Sequence, residues 1–259
     1  MNRQLTGRRG FTVIEVTLFL SITGLMMLGI FVGISGAISR QIYESEVISL
    51  IDFIQGEYGM VDNVRNNRPT STSCSAAAEG SGLTYGGSST VVGSSDCTLV
   101  GRLIISGDSA TQFVSRPVYS TIDTTGLPTD VSERQYLKSM RLRIQPTSQG
   151  VDQAVHLTRG EVYTNGDTDK KHFSILIVKL PTSGMTRTYV IDRNITGEDG
   201  DGIIGLLDDS NTNIQPLRLC VDPGGFGAPQ AMGVRIVPSA GSVAGVQRIS
   251  ASDSGDQGC

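Results

Sequence analysis

Residues 8–18 read Arg8-Arg9-Gly10-Phe11-Thr12-Val13-Ile14-Glu15-Val16-Thr17-Leu18. They open an apolar run that continues from Phe11 to Ser39 and holds a single ionisable side chain, Glu15. About 20 apolar residues at 1.5 Å rise span the hydrocarbon core of a bilayer, so the run is long enough to cross one. A carboxylate at the centre of such a helix costs roughly 2.5–3.5 kcal/mol on insertion scales. A charge of that kind calls for a counter-charge, and the nearest is the amine that a cut between Gly10 and Phe11 would create. An ordinary secretory signal is cut after its apolar run. A cut before it leaves the helix on the mature chain. Arg3, Arg8 and Arg9 precede the run and Arg40 follows it, which by the positive-inside rule puts the N-terminus in the cytoplasm and the bulk of the chain outside.

Beyond the run the helical period persists. Val47, Leu50, Ile51, Ile54, Tyr58 and Val61 recur at helical spacing. Glu44, Glu46, Asp52, Glu57 and Asp62 are expected mostly on the other side. No proline occurs before Pro69. The pattern predicts one helix over about 11–65, apolar all round in its first half and amphipathic in its second, whose stripe packs against the rest of the chain. Gly24, Gly29, Gly33 and Gly36 punctuate the first half. Gly29-x-x-x-Gly33 permits close helix contact or local loosening.

The whole chain has 21 basic and 25 acidic residues, and without residues 1–10 it has 18 basic and 25 acidic, near −7. An acidic exterior argues against broad nucleic-acid binding, which rests on a basic footprint. Aromatics are scarce at 5%, and Gly reaches 32 of 259 residues, a composition that suits a loop-rich β domain. Residues 69–95 are dominated by Ser, Thr, Gly and Ala and read as a surface loop held by Cys74 and Cys97. Strand-type runs follow at Leu99–Ile105, Gln112–Ser120, Ser139–Gln145, Phe173–Leu180, Arg187–Ile191, Pro216–Val221, Ala231–Val237 and Val243–Ile249, with Gly, Pro and Asp between them. Met140, Leu142 and Ile144 alternate with Arg141 and Arg143, and Phe173–Leu180 suits a central strand. Strands in succession without helices imply an antiparallel sheet. Cys74, Cys97, Cys220 and Cys259 fit two disulfides in any of three pairings, and oxidised thiols are expected outside the membrane.

The stretch from Arg8 to Leu18 resembles the class III signal of type IV pilins and pseudopilins. Each position has a physical task. The basic leader keeps the cut on the cytoplasmic side, and Gly10 carries no side chain to obstruct the peptidase. The resemblance implies cleavage after Gly10 by prepilin peptidase, N-methylation of Phe11, and attraction of Glu15 to the first amine of a neighbouring subunit. In low dielectric that attraction is strong and relieves a buried unpaired charge. The resemblance is detailed over residues 8–40. Beyond them it extends to layout only: helix, variable loop, antiparallel sheet, and a cysteine pair near the C-terminus. Cys220 and Cys259 match that last feature, so Cys74–Cys97 and Cys220–Cys259 are the expected bridges. Many type IV pilins carry a proline inside the membrane helix, and this chain has none.

Asp192, Asn194, Asp199 and Asp201 lie in a stretch rich in oxygen ligands and glycine, and some pseudopilins bind calcium in such a loop. The EF-hand pattern fails because Ile203 stands at its terminal Glu position, and the plainer reading is an acidic solvent loop. Calcium is thus the one cofactor candidate, and no other cofactor is expected. Lys170-Lys171-His172 reads as a solvated turn. No nucleophile elbow, phosphate loop or His-Glu-x-x-His pattern occurs, and no triad spacing is present, so no enzyme is expected.

These readings give an α+β, pilin-like fold: residues 1–10 a cleaved cytoplasmic leader, 11–39 the transmembrane or filament-core half of the helix, 40–66 its amphipathic half, and 67–259 an extracytoplasmic β-rich head. The expected role is a structural subunit, a minor pilin or pseudopilin, of a type IV pilus or related secretion filament. Its expected partners are other pilin subunits, prepilin peptidase, an inner-membrane assembly platform and, before assembly, membrane lipid. The expected location is a single pass through the cytoplasmic membrane, then the filament. The alternative is a signal-anchored extracytoplasmic receptor or binding domain that keeps its leader and does not assemble.

Overall fold

The structure is a computed structural model. It describes residues 11–63, 72–74, 83–85, 98–107, 109–120, 131–140, 142–145, 153–158, 160–169, 171–180, 183–195, 201–208, 216–224, 230–237, 240–251 and 259. The expected leader and most of the 69–95 segment lie outside them. The chain divides into two compact units, Met1–Ile42 and Tyr43–Cys259. One continuous helix, α1 (Val13–Asp62), supplies the described helix of the first and opens the second. No proline interrupts it, and Asn63 closes it by donating its side-chain amide to the Gly59 carbonyl at 2.8 Å.

The second unit is α+β. Strands β3 (Thr98–Ser106), β4 (Gln112–Ser120), β5 (Leu142–Ile144), β6 (Gln153–His156), β8 (Ser174–Lys179) and β9 (Thr186–Ile191) form a six-stranded sheet. Its order is β5-β4-β3-β8-β9, with β6 also paired to β4. Strands β7 (Val162–Thr164), β10 (Leu217–Val221), β11 (Met232–Ile236) and β12 (Val246–Ser250) form a four-stranded sheet in the order β12-β11-β10-β7. A short hairpin pairs β1 (Thr72–Cys74) with β2 (Leu83–Tyr85). Every described pairing is antiparallel. Strand β8 is central and buried on both faces, as its unbroken apolar run requires. Gly101 sits at a register shift in β3, where a Cβ would run into the Ile177 carbonyl of β8.

Alternation divides the core. Ile104, Phe113, Ile175, Ile177 and Val190 face the α1 stripe, as do Leu217, Leu219, Val221, Val234 and Ile236 from the four-stranded sheet. Leu103, Ile105, Leu176, Val178 and Ile191 point the other way. There they are covered by two short helices, α2 (Glu133–Ser139) and α3 (Asp201–Asp208), through Tyr136, Leu137, Ile203, Leu206 and Leu207. These helices correct the expectation of strands alone. Ser139–Gln145 is not one strand. Ser132 caps α2 in a reciprocal pair with Gln135, so Ser139 ends a helix and only Leu142–Ile144 is extended. Val243–Gly245 is likewise a 3-10 turn ahead of β12.

On α1, Val47, Leu50, Ile54, Tyr58 and Val61 are buried and Ile51 partly so. The acids do not all turn to solvent. Glu46 accepts from the Thr158 amide at 3.0 Å. Glu57 is wholly buried, in an ion pair with Arg102 of β3, itself 2% exposed. Ser115 of β4 donates to the Glu57 carboxylate at 2.6 Å, and Arg102 reaches the Ser115 hydroxyl at 3.0 Å and its carbonyl at 3.3 Å. Two tyrosines add fixed points. The Tyr43 hydroxyl donates to the Val221 carbonyl at 2.8 Å and accepts from the Met232 amide at 2.6 Å. The Tyr58 hydroxyl lies 2.6 Å from that of Thr188, which donates to the Ala240 carbonyl at 2.8 Å.

Burial pushes the Glu57 carboxyl above its ordinary 4.5, against the opposing pull of Arg102 and Ser115. The folded chain therefore holds this proton more tightly than the unfolded one. The stability it contributes is complete below about 4.5 and is lost as pH rises through the raised folded value. Denaturant titrations of the full chain in micelles should show the stability of the wild type relative to Glu57→Gln falling across that rise. At neutral pH, Glu57→Met strands the buried Arg102 guanidinium and should cost about 3–5 kcal/mol, while Arg102→Met removes the charge that opposes the desolvation of Glu57, whose carboxyl then takes up a proton. The double variant should cost less than either single one; simple additivity would show that the pair is not coupled.

Candidate functional site

The helix start is the site with chemistry to explain. Thr12 and Glu15 hold each other there. The Glu15 amide donates to the Thr12 hydroxyl at 3.3 Å, while the Glu15 carboxylate lies 3.4 Å from the Thr12 amide and 3.5 Å from its hydroxyl. This is a capping box: Thr12-x-x-Glu15 satisfies two of the orphan donors of a helix N-terminus reciprocally, and a carboxylate suits the positive end of the helix dipole. The Thr12-x-x-Glu15 spacing is legible in the sequence, and it makes Glu15 a helix cap as well as a lone acid. The contacts are long and exposed, so the carboxylate remains open to a stronger donor. Phe11, just ahead, is 83% exposed. Gly10 lies outside the described residues.

From Phe11 to Ile38 the large apolar side chains are exposed, and none of the most apolar 18-residue window is buried. Residues 13–39 run for about 40 Å at 1.5 Å rise, longer than the ~30 Å hydrocarbon core. Three hydroxyls in this stretch are already satisfied by the helix itself. Thr17 donates to the Ile14 carbonyl, Ser21 to that of Thr17 and Thr23 to that of Phe19, at 2.8–2.9 Å. Each therefore enters an apolar medium at little cost. Among the described residues, a Cβ on Gly24, Gly29, Gly33 or Gly36 would meet nothing within 4 Å, so no packing there demands these glycines.

The other sequence-derived candidates fall in the head. Cys220 and Cys259 form a disulfide, with Cα atoms 5.5 Å apart. Gly233, paired with Cys220 across β10 and β11, makes room for it: a Cβ there would lie 2.8 Å from the Cys259 sulfur. Cys74 belongs to β1, but its side chain and Cys97 lie outside the described residues, as does any bridge between them.

Of the four calcium candidates, Asp192 is exposed and Asp199 is outside the described residues. Asp201 opens α3, and its side chain is likewise outside. Asn194 is committed elsewhere. Its carboxamide oxygen accepts the Ser106 hydroxyl at 2.7 Å, and its nitrogen donates to the Ser106 carbonyl at 2.8 Å and lies 3.1 Å from His172 Nδ1. Ile203, the residue that breaks the EF-hand pattern, is wholly buried under the six-stranded sheet. Among the described residues, no three His, Cys, Asp or Glu gather as a metal site. Lys171 pairs with Glu161.

No protein-family model, curated protein or solved structure matches this chain.

Cys220 and Cys259 are separated by 39 residues. Closing a loop of that length removes about 4 kcal/mol of unfolded-state freedom in the chain-entropy model. Cys259→Ser should lower the denaturation free energy of the oxidised full chain by up to about that amount. An unchanged midpoint would show that the bridge contributes nothing.

Proposed function

We propose that this chain is a structural subunit, a minor pilin or pseudopilin, of a type IV pilus or related secretion filament. Its architecture, a membrane-competent N-terminal helix followed by a β-sheet head, is compatible with a membrane-anchored structural subunit. A long apolar helix packed by its second half on antiparallel sheet is consistent with a pilin-like fold in general. The observation that carries the reading is the first half of α1. Among the described residues it is an apolar cylinder without cover, with one carboxylate at its mouth held by long contacts to Thr12.

In this reading the precursor sits in the cytoplasmic membrane with its leader inside. Prepilin peptidase cuts after Gly10 and methylates the new N-terminal amine of Phe11. Glu15 then exchanges its neutral contacts with Thr12 for the cationic amine of a neighbouring subunit, a charge-assisted contact in low dielectric. The apolar halves of neighbouring helices replace lipid as each other's cover, and an inner-membrane assembly platform brings the subunits together. The chain has no catalytic part in this scheme.

Mass spectrometry of the chain isolated from its native membrane should find a mature N-terminus at Phe11 carrying one methyl group. An intact leader would favour a signal-anchored receptor instead. Glu15→Ala should still be cleaved but should appear in sheared filaments at a small fraction of the wild-type level. Wild-type incorporation of that variant would remove Glu15 from assembly.

A further inference from the structure

We draw no further inference here: the strongest candidate, the outward stripe of small residues Ser45, Ser49, Asp52, Gly56 and Gly59 on the second half of α1, where a Cβ on either glycine would meet nothing within 4 Å, carries nothing because no feature of the structure shows what covers it.

Discussion

The head depends on the burial of one face of α1 between Tyr43 and Val61. That stripe contacts the inner faces of both sheets at once, so the two sheets share one core through the helix. Apolar contact alone would tolerate sliding or rotation, because dispersion and water exclusion are non-directional. The polar contacts do not. Tyr43 is inserted where β10 meets β11, Tyr58 is tied through Thr188 to the Ala240 carbonyl, and Glu57 meets Arg102 and Ser115 on the six-stranded sheet. A turn of one residue, 100° about the axis, would break all three and leave an arginine buried without its carboxylate. The buried pair thus ties this helix to one register on the sheet.

The same helix meets the opposite condition in its first half. Between Phe11 and Ile38 nothing among the described residues covers it. Leaving a large apolar side chain in water forgoes about 1.5–3 kcal/mol of burial, and the row of them here far exceeds the patches that soluble monomers carry. The segment therefore requires lipid or other helices. The hydroxyls of Thr17, Ser21 and Thr23 already bond their own backbone, which leaves Glu15 as the one ionisable side chain of the segment.

Much of this was legible from residue order. The helix was expected at 11–65 and runs from Val13 to Asp62; the strand expected at Gln112–Ser120 has those limits in β4; and the run expected to be central is β8. What escaped has identifiable causes. Glu57 stands three residues after Ile54 and four before Val61, so its spacing places it on the stripe. Its charge argued for solvent, and only the distant Arg102 makes burial tolerable, a pairing that no periodicity reveals. Helix α3 was hidden by the Gly- and Asp-rich stretch that leads into it, where Ile203, Leu206 and Leu207 were too few to announce a period. Two local signals do stand in the sequence. Ser132-x-x-Gln135 is the capping box of α2. Asn165-Gly166 turns the end of β7 with both residues at positive φ.

The first half of α1 is suited to a medium without water and the second half to one with it. The most direct test of this division is labelling of single introduced cysteines by a membrane-impermeant maleimide in intact native membranes. Leu25→Cys lies in the uncovered apolar half and Ser49→Cys on the solvent side of the second half. Position 49 should label rapidly and position 25 not at all until the membrane is dissolved. Equal labelling of the two in intact membranes would contradict this division.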